Sequence, residues 1–334
     1  MKNHVGILGA GTFGIALAYA LARAGKDVTV WSALPDEIAL LRKERRQKNL
    51  PSLLLPESIH YTANIAEACS AGPFLLLAVP SVYVRSTARA AAPHILEGQI
   101  VVDVAKGIEG DTLLTMSEII AEEFRAAGCS PSVVALSGPT HAEEVAKELP
   151  TAIVAASEDA DAAVRVQALF SGTCLRVYTA SDVRGTELCG ALKNIVAIAA
   201  GVAAGLGYGD NTAAALMTRG IAEIARLGAA IGCRPETFYG LAGIGDIIVT
   251  ATSPHSRNRS AGKLLAEGLG AEEAKKRIGM VVEGFHALPA ACALAQKYGV
   301  ELPIIFAVRD LMAGKITPKA AVESLMTREQ KNEF

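Results

Sequence analysis

Aromatic side chains are scarce in this sequence: phenylalanine, tyrosine and tryptophan together make up 5% of its 334 residues, with a single tryptophan. Hydrophobic residues nevertheless reach 51%, so the core must consist mainly of aliphatic side chains and alanine. Small side chains of this kind favour helices that pack closely against one another. A chain of this length has room for two domains and a large core.

The sequence also lacks an excess of charge of either sign. Its 32 lysine and arginine residues are balanced by 34 aspartate and glutamate residues, which leaves a net charge of −2. A nucleic-acid-binding domain carries a strongly basic face, so no nucleic-acid partner is expected. The one basic run, 42–48 (RKERRQK), is interpreted as a solvated helix end rather than as a phosphate-binding patch.

Cysteine is sparse and scattered. There is no C-x-x-C pair, and no histidine stands at ligand spacing from any of the six cysteines, Cys69, Cys129, Cys174, Cys189, Cys233 and Cys292. This pattern indicates neither a disulfide framework nor a metal site, and it is typical of reduced cysteines in an intracellular protein.

Long hydrophobic runs are absent as well. The longest uncharged run, 194–209, is too short and too rich in glycine to span a bilayer. We expect no signal peptide before the first apolar segment. We therefore expect a soluble protein of the cytoplasm without a membrane partner.

Short apolar runs recur through the first half of the chain. They predict strands at 4–8, 27–31, 74–79, 99–104, 132–136, 151–155 and 174–178, separated by helices at 15–24, 36–48, 82–92, 112–127 and 160–170. Continuous apolar strands that alternate with helices favour a parallel sheet buried on both faces. Residues 1–180 are therefore predicted to form a Rossmann-like α/β domain with a doubly wound sheet.

The pattern changes to helices alone after about residue 180. Helices are predicted at 185–204, 212–231, 261–267, 287–297, 304–313 and 318–325. Residues 181–334 should accordingly form an all-α domain. The functional site is expected outside the carboxyl ends of the strands, where the helical domain closes over it.

A glycine-rich turn joins the first predicted strand to the first predicted helix. Gly9, Gly11 and Gly14 form a G-x-G-x-x-G motif between the two elements. In such a motif the first glycine makes a tight turn, the second admits a pyrophosphate and the third allows the helix to pack against the strand. The helix N-terminus supplies N–H donors and a positive dipole end. The motif predicts a dinucleotide site.

The end of the second predicted strand carries no residue that selects between NAD and NADP. An acidic side chain there binds the ribose 2′-hydroxyl, whereas an arginine favours the 2′-phosphate. Here 32–34 (SAL) is uncharged, and Asp36 and Glu37 follow Pro35 inside the next helix. Ser32 suits either group, and the basic run adds a weak attraction for phosphate. We therefore predict use of both cofactors, with kcat/KM values within ~30-fold of each other.

Lys106 directly follows an apolar strand and precedes Gly107, which places it at the mouth of the crevice. A ligand contact is favoured over an exposed loop lysine at this position. Residues 140–143 (THAE) have the spacing of a capping box, so Thr140 is predicted to cap a helix, and a ligand at the same N-terminus is compatible with that role.

Lys193 shares its helix face with small residues only, among them Cys189 and Ala197. A buried lysine is costly unless it has a partner or a task, and desolvation moves its pKa toward the range useful for general acid–base catalysis. A structural lysine that snorkels to solvent remains the alternative. Asp246, which follows GLAGIG, is the predicted partner of a buried cation.

Ser256, Arg257 and Asn258 offer a hydroxyl, a planar fork and an amide in one run. These donors suit a phosphate monoester. Spacing alone leaves phosphate binding and a structural role equally open.

The motifs together resemble bacterial-type NAD(P)-dependent glycerol-3-phosphate dehydrogenase along nearly the whole chain. The resemblance is carried by GAGTFGIALA (9–18), VPS (79–81), KGIE (106–109), SGPTHAEEVA (137–146), ALKN (191–194), RG-AE (219–223), GLAGIGD (240–246), SRNR (256–259) and VVEG (281–284). It implies reduction of dihydroxyacetone phosphate, a phosphorylated triose, to sn-glycerol 3-phosphate with NADH or NADPH, which supplies the backbone of glycerophospholipids. A homodimer is expected.

The resemblance also implies residue roles. Substrate-binding positions are Lys106, Gly138, Thr140, Lys193, Asn194, Asp246, Ser256, Arg257 and Asn258. Cofactor-binding positions are Gly9, Gly11, Thr12, Phe13, Gly14, Lys106, Ala142, Arg257, Val281 and Glu283. Lys193 would be the proton donor and acceptor at the substrate C2 oxygen, held in place by Asp246. The chain departs from its relatives at Ala33, where an arginine is frequent, and at His141, where phenylalanine is frequent.

Two other functions compete with this one. Dehydrogenases of the 3-hydroxyisobutyrate and 6-phosphogluconate type also combine a Rossmann domain with a helical domain and a helix-borne lysine, but SRNR and GLAGIGD favour the phosphorylated triose. A non-catalytic NAD-binding sensor would have no need of Lys106, Lys193 and Asp246 together.

Overall fold

The computed structural model describes residues 4–330 and 332–333. These residues divide into two compact units: residues up to Lys106 together with Leu114–Glu187, and Gly107–Leu113 together with the residues from Leu188 onward. The division falls after residue 187 rather than after 180. The short segment Gly107–Leu113 belongs to the second unit because Ile108 is buried in the apolar core of that unit and Leu113 packs against the same core.

The first unit contains an eight-stranded sheet in the order β3-β2-β1-β4-β5-β6-β7-β8. Its strands are β1 (His4–Leu8), β2 (Asp27–Trp31), β3 (Ile59–Thr62), β4 (Phe74–Leu77), β5 (Ile100–Asp103), β6 (Ser132–Ser137), β7 (Thr151–Ala156) and β8 (Leu175–Ala180). All neighbouring pairs are parallel except β6 and β7. The strand order reverses beside β1, as in a doubly wound sheet. The predicted Rossmann-like sheet is confirmed.

Helices cover both faces of this sheet. They are α1 (Thr12–Arg23), α2 (Pro35–Glu44), α3 (Ile65–Cys69), α4 (Val84–Ala91), α5 (Met116–Ala126), α6 (Ala142–Val145) and α7 (Ala160–Leu169). Along β4, Leu75 and Leu77 lie in one apolar cluster and Leu76 lies in another. Because side chains alternate along a strand, the two clusters are on opposite faces of the sheet, which explains the continuous apolar runs.

Two features of the sheet differ from the prediction. Strand β3 was not predicted, since its four residues (IHYT) contain the exposed His60 and do not form an apolar run. Strand β7 was predicted to be parallel to its neighbours but runs antiparallel to β6. The connection between them contains the single helical turn α6 instead of a helix long enough to cross the sheet.

The described residues of the second unit form helices and no strand, as predicted. Its helices are the part of α8 (Val183–Gly205) from Leu188, then α9 (Asp210–Ile231), α10 (Pro235–Tyr239), α11 (Asp246–Thr252), α12 (Arg257–Ala266), α13 (Ala271–Ile278), α14 (Glu283–Tyr298), α15 (Pro303–Met312) and α16 (Pro318–Met326). A Cβ on Gly201 would lie 2.1 Å from the Arg259 carbonyl oxygen, and one on Gly262 would lie 2.1 Å from that of Ile198. Helices α8 and α12 thus pack backbone to backbone, as expected of a core rich in small residues.

Helix α8 is long and apolar enough to cross a membrane by length and composition alone. It also includes residues before 194, which is why the uncharged run underestimated its length. In its most apolar window, however, 83% of the residues are buried inside the structure. The core helix of a soluble protein has the same properties, so this single helix is weak evidence for a membrane span.

A buried glutamate joins two helices of the second unit. The Glu223 carboxylate, on α9, accepts the Ile304 N–H at 2.8 Å and thereby caps the N-terminus of α15. Burial raises the pKa of this carboxyl to about 7, against the opposing effect of the Ile304 and Ile305 N–H donors. The folded protein therefore holds a proton on Glu223 more tightly than the unfolded chain does.

Replacing Glu223 with glutamine should remove a pH dependence of stability. A carboxyl whose pKa is raised on folding stabilises the fold fully below its unfolded value near 4.5, and this contribution is lost as the pH rises through about 7. It amounts to about 3 kcal/mol. Between pH 5 and pH 8 the free energy of unfolding of Glu223→Gln, from urea titrations, should fall less than that of the wild type. Parallel curves for the two proteins would contradict this expectation.

Candidate active site

The glycine motif forms the turn between β1 and α1. Gly9 has a φ of +123°, which side chains rarely tolerate. A Cβ on Gly9 would lie 2.5 Å from the Ala78 carbonyl oxygen, and one on Gly14 would lie 2.1 Å from the carbonyl oxygen of Gly9. The chain itself therefore requires glycine at both positions.

Gly11 is different, because nothing in the described chain explains its missing side chain. Its φ of −63° suits any residue, and apart from its own chain neighbours no described atom lies within 4 Å of the position that its Cβ would occupy. It is the N-cap residue of α1, whose first N–H groups have no partner within the helix. Open space above a helix N-terminus is the arrangement that a pyrophosphate needs. The residues present thus fit a dinucleotide.

The next residue, Thr12, is tied to the loop that follows α2. Its Oγ1 accepts a hydrogen bond from the Asn49 Nδ2 at 2.9 Å. Phe13 lies beside it in the first turn of α1 and packs partly buried against the apolar core of this unit. The two predicted cofactor contacts therefore stand at the open end of α1.

Lys106 meets two other predicted ligand-binding positions at the carboxyl end of the sheet. Its Nζ donates to the Gly138 carbonyl oxygen at 2.8 Å and lies 3.5 Å from the Thr140 Oγ1. The Thr140 hydroxyl donates to the same carbonyl at 3.1 Å. The prediction that Thr140 caps a helix is wrong, because His141 is the N-cap residue of α6 and Ala142 is its first residue.

In the second unit, Lys193 lies at the centre of a buried polar cluster. Its Nζ donates to the Asp246 Oδ1 at 2.7 Å and to the Thr250 Oγ1 at 2.6 Å. The Thr250 hydroxyl lies 3.3 Å from the same Asp246 oxygen and donates to it. Lys193 is 6% exposed and Asp246 is 1% exposed, so solvent screens this ion pair little.

The Lys193 ammonium is therefore held by a carboxylate and a hydroxyl instead of snorkelling to water. Removing one partner of such a pair leaves a buried charge uncompensated, which costs about 3–5 kcal/mol. Sequence reasoning paired Lys193 with Asp246 but missed Thr250. The signal was available, since Thr250 lies one helical turn after Asp246 on α11 and so shares its face.

The glycines before Asp246 shape the backbone that presents this carboxylate. Residues Leu241–Gly245 form a single π-helical turn, and a Cβ on Gly243 would lie 2.1 Å from the Phe238 carbonyl oxygen. The close approach predicted for this motif is thus to the chain's own backbone. It allows α11 to begin at Asp246, beside α8.

Two asparagines connect three helices of the second unit. The Asn258 Nδ2 donates to the Asn194 Oδ1 at 2.8 Å, and the Asn258 Oδ1 accepts the Gly284 N–H at 2.9 Å. The Asn194 Nδ2 donates to the Gly190 carbonyl oxygen of its own helix at 3.1 Å. These bonds fix both amides and use one N–H of each. Asn194 sits next to Lys193 and is held by Asn258 of α12, which is in turn bonded to α14.

The donor run at the start of α12 has mixed roles. Ser256 is the N-cap residue and its Oγ accepts the Arg259 N–H at 3.2 Å. Arg257 is exposed, and its Nη1 donates to the Val281 carbonyl oxygen at 3.0 Å. Glu283 begins α14 two residues after Val281. The structure thus brings together Arg257 and the 281–283 segment, which were both predicted to contact the cofactor.

Both halves of the chain match models of one protein family. Residues 4–163 match the NAD-dependent glycerol-3-phosphate dehydrogenase N-terminus, and residues 182–323 match its C-terminus. A glycerol-3-phosphate dehydrogenase (NAD(P)+) of Lactobacillus delbrueckii subsp. bulgaricus is 57% identical over 99% of this chain and 98% of its own. The chain belongs to the NAD-dependent glycerol-3-phosphate dehydrogenase family.

Other relatives agree with this assignment. A glycerol-3-phosphate dehydrogenase (NAD(P)+) of Agathobacter rectalis is 49% identical over 99% of this chain and 98% of its own. The crystal structure of a glycerol-3-phosphate dehydrogenase from Coxiella burnetii superposes with a TM-score of 0.92 at 35% identity, covering 98% of this chain and 99% of that one. The resemblance inferred from the motifs is confirmed, and the protein is an NAD(P)-dependent oxidoreductase.

Proposed function

We propose that the chain catalyses the reversible reduction of dihydroxyacetone phosphate to sn-glycerol 3-phosphate with NADH or NADPH, and that Lys193 is its proton donor and acceptor. The observation that carries the proposal is the buried Lys193 ammonium, held at 2.7 Å from Asp246 and 2.6 Å from Thr250. The family matches to both halves of the chain favour this reaction over that of the hydroxy-acid dehydrogenases and over a sensor.

The reaction converts a carbonyl to an alcohol, so it needs a hydride at carbon and a proton at oxygen. The nicotinamide cofactor, when bound, supplies the hydride. Lys193 gives its proton to the C2 oxygen as negative charge develops there, and regains one from solvent afterwards; in the reverse direction it accepts the hydroxyl proton. The Asp246 carboxylate stabilises the charged form of Lys193, and both partners fix the position of Nζ.

The remaining predicted positions supply the binding contacts. Arg257 offers a charged fork for the substrate phosphate, with Ser256 and Asn258 beside it, and its bond to the Val281 carbonyl leaves part of the guanidinium for a ligand. Lys106, with Gly138 and Thr140, binds the substrate and also touches the cofactor. Asn194 positions the substrate next to Lys193.

The cofactor is held mainly by the first unit. Gly9, Gly11 and Gly14 form the pyrophosphate turn, and Thr12 and Phe13 flank it. The resemblance to the family also assigns cofactor contacts to Ala142, at the start of α6, and to Val281 and Glu283, at the nicotinamide end. In this proposal the protein works in the cytoplasm as a homodimer and supplies sn-glycerol 3-phosphate for glycerophospholipids.

The direct test is an oxidation assay with NADH and NADPH. Dihydroxyacetone phosphate should be turned over with either cofactor, whereas 3-hydroxyisobutyrate and 6-phosphogluconate should not support reduction of NAD+ or NADP+. Turnover of a hydroxy acid without turnover of the phosphorylated triose would contradict the proposal. Cofactor binding without turnover of any of these compounds would favour a sensor.

Thr250 should affect turnover through Lys193. Thr250→Val keeps the side-chain volume but removes the acceptor for the Lys193 ammonium, and a hydrogen bond to a charged group contributes about 1.5–3 kcal/mol. We expect kcat to fall about tenfold or more, with the Kd for NADH unchanged, and Thr250→Ser to keep most of the activity. Equal losses in both variants would mean that packing, and not the hydroxyl, matters at this position.

A further inference from the structure

The Glu37 carboxylate lies at the carboxyl end of β2, although Glu37 follows that strand by several residues in the sequence. The Ser32 N–H donates to the Thr62 carbonyl oxygen at 3.2 Å and continues the pairing of β2 with β3 by one residue. The buried Ser32 Oγ donates to the Glu37 Oε2 at 2.6 Å and accepts the Leu34 N–H at 3.2 Å. The Glu37 carboxylate, half-buried in the first turn of α2, is therefore anchored directly beyond the last residue of β2.

This location matters for the ribose of a dinucleotide. In Rossmann-type sheets a side chain at the end of the second strand meets the ribose 2′ position, where a carboxylate accepts the 2′-hydroxyl and repels a 2′-phosphate. In the sequence, Glu37 is separated from the strand by a proline and lies inside a helix. The turn at Ser32 returns its carboxylate to the strand end.

The arginines of the nearby basic run bind within the first unit. Its three arginines are committed to carbonyl oxygens of the first unit: Arg42 to Tyr61 at 2.5 Å, Arg45 to Leu55 at 2.5 Å and Arg46 to Pro51 at 2.7 Å. Arg45 also pairs with the Glu57 carboxylate at 2.6 Å. These hydrogen bonds hold the segment after α2 in place.

We propose that the Ser32–Glu37 pair makes this enzyme bind NADH more tightly than NADPH. The inference rests on the proposed function and gives a direction to the use of both cofactors. Glu37 sets the preference by its charge at the ribose 2′ position, and Ser32 is a positioning residue that holds the carboxylate there. Repulsion between the half-buried Glu37 carboxylate and the 2′-phosphate of NADPH should make NADH bind about tenfold more tightly than NADPH.

The test is a titration of cofactor binding in the absence of substrate. Dissociation constants for NADH and NADPH are measured by calorimetry for the wild type, Glu37→Gln and Asp36→Asn. Glutamine still accepts the Ser32 hydroxyl but has lost the charge, so the affinity for NADPH should rise about tenfold while that for NADH changes less than about threefold. Asp36→Asn removes the same charge from the same helical turn and should leave the ratio of the two constants within about threefold of wild type.

A variant that reverses the charge at position 37 provides a second test. Glu37→Lys should reverse the preference in favour of NADPH, and thermal unfolding of each variant without cofactor shows that it is folded. Equal changes for both cofactors in Glu37→Gln, or the same change of ratio in Asp36→Asn, would overturn the proposal. Because substrate is absent, these outcomes are separate from failure of the proposed reaction, which would appear as cofactor binding without turnover.

Discussion

Replacement of Lys193 by alanine is expected to lower kcat by about 10²–10⁴, the range for loss of a general acid. The reason is structural: the Lys193 ammonium is buried and held by Asp246 at 2.7 Å and Thr250 at 2.6 Å. The Kd for NADH should be nearly unchanged, because Lys193 is not among the residues proposed to bind the cofactor. Steady-state kinetics and a cofactor titration measure the two quantities. A variant that keeps more than about a tenth of wild-type turnover would remove Lys193 from the mechanism.

Loss of the ammonium also removes the positive charge that compensates the buried Asp246 carboxylate, which destabilises the fold. A control separates this effect from catalysis. The double variant Lys193→Met with Asp246→Asn removes both charges and fills most of the space, so it should unfold at a higher temperature than Lys193→Ala. Turnover should remain as low as in the single variant. Recovery of turnover together with stability would show that the loss in Lys193→Ala came from unfolding.

Replacement of Arg257 by alanine is expected to weaken transition-state binding of the phosphorylated substrate by about 2–4 kcal/mol, since the phosphate then loses a charge-assisted fork. Arg257 is exposed and its described bond is to the Val281 carbonyl oxygen, so stability should change by less than about 0.5 kcal/mol. The comparison is kcat/KM on dihydroxyacetone phosphate and on unphosphorylated dihydroxyacetone. The second, however low, should fall much less. Equal losses would assign Arg257 to the cofactor or the fold.

Helices and strands with a continuous or periodic pattern of apolar residues could be predicted from the sequence. Elements that depend on pairing with a distant segment of the chain could not. The helix at 185–204 and the strand at 4–8 are evident in the sequence because both are buried and therefore consist mainly of apolar residues. Strand β3 shows no such run, since it has only four residues and His60 among them is exposed. The direction of β7 depends on the length of a connecting helix, which apolar periodicity does not report.

The candidate site shows the same division. Glycine motifs and lysines at strand or helix positions are local signals, and they led to Gly11, Lys106 and Lys193. The hydrogen-bond partners in the site depend instead on the tertiary fold. Thr140 contacts Lys106 instead of capping α6, and the Glu37 carboxylate accepts a hydrogen bond from Ser32. Hydrogen bonds of this kind form between residues whose spacing in sequence carries no periodic signal.

In the proposed reaction, hydride is delivered to the carbonyl carbon of dihydroxyacetone phosphate while Lys193 protonates the oxygen. NADH that carries deuterium at both C4 positions tests it most directly, with the wild type and Lys193→Ala compared under single-turnover conditions. The wild type should give sn-glycerol 3-phosphate with one deuterium at C2 by mass spectrometry and NMR. The variant should form the same labelled product about 10²–10⁴ times more slowly. Product without deuterium at C2, or equal rates for the two proteins, would contradict the account.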